Sequence, residues 1–133
     1  MNIKKIYLLF FATTLSVIAF MYGLFPNWFI SNFLIVPENV STDAAHILRA
    51  VTGLYLALVG WVYYSAISNR FVNETIFITG LFCAGLGVGR LFSIIIDGIP
   101  SPLLVIYVLM EFAIVPLVYF LLKDTKKTVL QSA

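Results

Sequence analysis

A chain of 133 residues that is 62% hydrophobic and 11% charged departs from soluble domains, which run at about 45–50% and about 25%. It cannot bury that much apolar surface in one water-soluble domain, so composition places it in a membrane. A net charge of +2 without a basic helix face excludes nucleic-acid binding. The single cysteine, Cys83, excludes an internal disulfide or a cysteine metal cluster.

Four apolar runs, 6–25, 44–66, 75–96 and 103–122, each reach the roughly 20 helical residues that cross a hydrocarbon core. Backbone polar groups left unpaired in lipid are costly, so each run is expected to be a helix. The predicted class is all-α: a polytopic membrane four-helix bundle, antiparallel and up-down, forming one transmembrane domain over 1–133. Lys4 and Lys5 precede the first run as they would in a secretory leader. The bulky "IAFMYGLF" that follows does not suit a signal peptidase, and the run is expected to stay as a span.

Between the first two runs, "NWFISNFLIV" is oddly apolar for a loop. Trp28, Phe29 and Phe33 predict a segment in the outer interface, either an anchor or a lid over a site. Ser41, Thr42 or Asp43 is placed to cap the next helix by accepting a first-turn amide. The second and third loops, "ISNRFVNE" and "DGIPSP", are tight and make the helices on either side antiparallel neighbours. In the third, Gly98 admits positive φ, while Pro102 suits the first position of the last helix. Pro116 has no N–H for the carbonyl of Phe112 and predicts a kink just below Glu111.

Basic residues set the expected orientation. Lys4, Lys5, Arg70, Lys123, Lys126 and Lys127 lie at the N-terminus, in the second loop and in the tail. The first and third loops carry only acidic Glu38, Asp43 and Asp97. Both termini are therefore expected on the cytoplasmic side.

Arg49, Arg90 and Glu111 fall inside spans, where a charge costs about 2.5–3.5 kcal/mol at the bilayer centre. A rise of about 1.5 Å per residue puts them about 7–8, about 9 and about 12 Å below the outer helix ends. All three occupy the outer half. The tight third loop lets Arg90 and Glu111 pair, which offsets most of that cost. Asp97 follows Arg90 by two helical turns with Ser93 between them, and His46 shares the stripe of Arg49. The candidate ligand-binding set is Arg49, Arg90, Asp97, Glu111, His46 and Ser93. The plainer alternative is an ion pair that holds helix register, with Arg49 snorkelling to the surface. Gly85 and Gly89 form a GxxxG, and Gly53 and Gly60 line a small-residue stripe. All four are expected to pack helices. The Gly-x-Gly-x-Gly at 85–89 is no nucleotide loop, because no strand precedes it.

Read together, "GxGRLFSIIIDGIPSP" and the "EF" at 111–112 resemble a family of small bacterial four-helix membrane proteins of uncharacterised function. Its pattern is a Gly-Arg late in the third helix, an Asp-Gly-x-Pro-Ser turn and a glutamate in the fourth. Arg49-Ala50-Val51-Thr52-Gly53 is similar to an Arg-Ala-x-x-Gly near the outer end of the second. The matching positions are Arg49, Gly53, Gly89, Arg90, Asp97, Gly98, Pro100, Ser101 and Glu111. The architecture also resembles the broader DoxX-like group, some of whose members are linked to quinone or thiol redox chemistry. The resemblance implies a multi-pass protein of the bacterial cytoplasmic (inner) membrane and no assigned activity.

Three functions stay open at this point. The protein binds a lipid-like or amphipathic small molecule in an outer-half polar pocket, or it is an enzyme or proton-coupled carrier using Glu111. Otherwise it is a structural or accessory subunit. One histidine excludes a bis-His haem, and the ligands for zinc are lacking. No cofactor or metal is expected. Expected partners are membrane lipid, an amphipathic ligand, and a second copy or a partner membrane protein.

Overall fold

Prolines and small polar caps divide the chain into five helices among the described residues. These are α1 (Ile3–Leu24), α2 (Pro26–Phe33), α3 (Thr42–Ser68), α4 (Val72–Asp97) and α5 (Pro102–Gln131). The computed structural model describes residues 2–34 and 41–131, with side chains through Lys123. Glu38 lies outside the described residues, as do the side chains of Lys126 and Lys127. No strand occurs among the described residues. Among the described residues, four helical stretches are long and apolar enough to cross a membrane: α1, α3, α4 and Pro102–Lys123 of α5.

The helices overrun the apolar runs because their ends are made by polar caps beyond the greasy stretch. Asn2 accepts from the amide of Lys4 at 3.2 Å and opens α1. Ser41 accepts from the amide of Ala44 at 3.1 Å and opens α3, with Asp43 in a first turn whose dipole favours negative charge. Pro26 disfavours helical backbone at Phe25, where φ is −128° and ψ is 54°. The same proline then starts α2 at its first position. The interfacial segment expected between the first two spans thus begins as an eight-residue helix. At the other end of the chain, Gly98 closes α4 at φ +94° with its amide bonded to the carbonyl of Ile94. Pro102 opens α5.

Contacts divide the chain into two compact units, Met1–Arg70 and Phe71–Ala133. In the first, α1 packs along α3. The hydroxyls of Thr13 and Tyr63 lie 3.0 Å apart. The Thr52 hydroxyl reaches the carbonyls of Ala19 at 3.1 Å and Leu48 at 2.9 Å. Contacts that climb α1 descend α3, so the two run antiparallel. Helix α2 folds back on this pair through Phe29, whose ring meets Tyr22 edge-on at 4.8 Å. Trp28 and Phe33 stay exposed, with Phe33 packed against Trp28 at 5.6 Å.

In the second unit α4 and α5 form an antiparallel hairpin. The buried face of α4 carries Ile76, Gly80, Cys83 and Gly87 at spacings of four, three and four, the pattern of one helical face. Val118 lies against Gly80 and the Phe112 ring against Gly87. Lipid offers no hydrophobic drive between helices, so dispersion at such close approaches holds the hairpin.

The four glycines selected by pattern make no such close approach within either unit. A Cβ added at Gly53, Gly60, Gly85 or Gly89 meets nothing within 4 Å. GxxxG marks a face able to pack closely, and in α4 the face that does so is set by Gly80 and Gly87. Replacing Gly85 and Gly89 by alanine is therefore expected to leave folding intact. It should raise helix stability by up to about 1 kcal/mol per site, since alanine is the better helix former. Reversible unfolding in mixed micelles checks this, and a clear loss of stability would contradict it.

Candidate functional site

Helix α4 spends about 10 Å between Arg90 and its end at Asp97, and α5 spends about 13–14 Å between Pro102 and Glu111. The tight turn between them brings the two levels together. Arg90 donates from Nε to Glu111 Oε1 at 2.9 Å. The Arg90 guanidinium also lies 5.6 Å from the centre of the Tyr107 ring, within cation–π range. Tyr107 precedes Glu111 by one turn of α5, so one face of that helix offers both a carboxylate and an aromatic plate to the same cation.

The pair is unequally shielded. The Glu111 side chain is 10% exposed and that of Arg90 24%. Glu111 Oε2 is buried and accepts no hydrogen bond. A carboxylate is an acceptor at both oxygens, and arginine stays charged under all ordinary conditions. The arrangement is thus a neutral ion pair with one acceptor left open. An acceptor buried in that state costs about 1–3 kcal/mol.

The other predicted residues are divided between the two units. Ser93 donates to Asp97 Oδ2 at 2.9 Å, one turn apart on exposed α4. Arg49 and His46 sit in the first two turns of α3, exposed, and belong to the first unit. Ser101 is buried at the foot of α5, and its carbonyl accepts from the amides of Leu104 at 2.9 Å and Val105 at 3.3 Å. Cys83 lies two turns before Arg90 on the same α4 face and is buried. Tyr107 is absent from the set selected by sequence. Its signal was the i, i+4 spacing to Glu111. No group of three His, Cys, Asp or Glu among the described residues is placed to hold a metal.

A family described as "Domain of unknown function (DUF4345)" matches residues 3–122. The chain belongs to that family. The matched stretch takes in α1 to α4 and α5 as far as residue 122, including both partners of the ion pair and the Tyr107 plate. Its description carries no activity and lends no support to the DoxX-like expectation. No curated protein and no solved structure matches the chain.

Proposed function

We propose that this DUF4345 chain is a multi-pass protein of a bacterial inner membrane that binds an amphipathic small molecule at the Arg90–Glu111 pair. Both termini face the cytoplasm in this reading, because basic residues flank the ends and the second loop. The observation that carries it is the open acceptor at Glu111 Oε2. A pair serving only to hold register would be most stable with both oxygens satisfied, since a half-satisfied buried polar group is worse than an apolar one. A polar headgroup completing that oxygen resolves the deficit. Ionisable groups within a membrane span are functional candidates on energetic grounds alone.

The test is a charge swap, Arg90→Glu with Glu111→Arg, in the purified full chain. Such an exchange keeps an ion pair but moves the carboxylate to α4 and re-aims its free oxygen. Native mass spectrometry of wild type from membrane extract is expected to show a bound small molecule that the swapped protein has lost while remaining folded. Equal retention by both proteins would leave the pair with a register role only.

A further inference from the structure

Glu111 Oε2 is a buried acceptor without a donor, and the chemistry of the Arg90–Glu111 pair restricts what can supply one. We infer that the bound molecule presents a neutral hydroxyl, on an apolar alcohol or phenol, which donates a hydrogen bond to Glu111 Oε2. This rests on the reading that the pair holds an amphipathic ligand, and it names the headgroup.

Three steps lead there. First, Oε1 already accepts from Arg90 Nε at 2.9 Å while Oε2 accepts nothing and is buried. A carboxylate paired with arginine has only acceptor capacity, so its partner must donate. Second, the pair is internally neutral, and any charge on the ligand enters a membrane span without a counter-ion. A phosphate or carboxylate headgroup would compete with Glu111 for Arg90 and leave the buried carboxylate stranded. A quaternary ammonium has no N–H to give, and a primary ammonium sets a second cation beside Arg90. Third, exposed apolar side chains neighbour the pair along both helices, with Leu91 on α4 and with Met110 and, one turn from Glu111, Val115 on α5. They suit the hydrocarbon part of such a molecule. A hydroxyl on an apolar skeleton meets all three conditions.

Two sources share this chemistry, an aliphatic alcohol and a phenolic hydroquinone. Probes in which a methyl group replaces the donor proton separate the hydroxyl requirement from general greasiness. They are hexadecanol against its methyl ether, and an isoprenoid hydroquinone under reducing conditions against its dimethyl ether. A long-chain phosphatidate serves as the anionic arm. Binding to the full-length protein in micelles is read by native mass spectrometry and by thermal shift. The expected result is that at least one hydroxyl probe binds about tenfold or more tighter than its ether, because a site built around a hydrogen bond rejects the analogue lacking it. Which probe wins tells the aliphatic from the phenolic source. Glu111→Gln should erase the preference when its amide places an N–H where Oε2 stood, since alcohol and ether oxygens both accept from that donor.

Equal binding of alcohol and ether, or a preference for phosphatidate, overturns the inference and leaves the binding reading standing. Failure of every probe to bind wild type overturns both. Binding that persists unchanged in the Arg90/Glu111 charge swap also overturns both. The wild-type comparison of probe pairs decides the matter even if a substituted protein does not fold.

Discussion

Replacing Arg90 with methionine is expected to destabilise the second unit by about 3 kcal/mol or more, near the lower end of what breaking a buried ion pair costs. The reason is what stays behind. Glu111 is 8% exposed, and without the guanidinium it holds either an uncompensated charge or a buried, unshared acid. Glu111→Met is expected to cost less. The Arg90 side chain is 24% exposed, and a long flexible cation can lay its stem on apolar surface and carry its head outward. The double replacement should recover most of the loss, because exchanging both partners for apolar groups of similar volume is close to neutral. A double-mutant cycle by reversible unfolding in mixed micelles measures all three values. Single losses that simply add in the double variant would show that the two side chains do not act as a pair.

Gly23→Ala carries the second large effect, in the first unit. A Cβ there would stand 2.6 Å from Thr52 Cγ2 and 2.8 Å from Thr52 Oγ1. Thr52 cannot easily step aside. It is β-branched and buried, and its hydroxyl is tied to the carbonyls of Ala19 and Leu48. Either the helices separate or the hydroxyl gives up its partners, for an expected loss of about 1–3 kcal/mol. Thr52→Ala in the same chain removes the atoms in the way and should return much of that stability. An alanine at Gly23 as stable as wild type would mean that α1 and α3 do not approach this closely. Gly85 and Gly89 are the internal control, since alanine at either meets nothing.

Membrane thickness made the spans legible before any coordinates. Hydrocarbon about 30 Å thick demands about 20 apolar helical residues, and four runs met that requirement. Pro26, Ser41, Gly98 and Pro102 were legible as punctuation because each acts on its own backbone and needs no distant partner. Arg90 and Glu111 stood out for a related reason. A charge in a span is expensive wherever it falls, and two opposite charges across a short turn have an evident way to reduce that expense.

Which glycines pack, which aromatic serves the cation and which carboxylate oxygen stays open depended on helix rotation and side-chain rotamers. The periodicity of α4 permits a close face through Gly85 and Gly89 as readily as one through Gly80 and Gly87. Only the facing side chains of α5, Val118 and Phe112, distinguish the two. Tyr107 becomes a cation plate only when the Arg90 side chain extends over α5, and Oε2 is left without a partner only by the rotamer that gives Oε1 to Nε. Sequence alone therefore determined that the chain is helical, apolar enough to span and carries a costly pair of charges, because those follow from composition and local spacing. Tertiary structure decided how the pair is left incomplete, because that depends on atoms of two residues 21 positions apart in the chain, brought together from different helices.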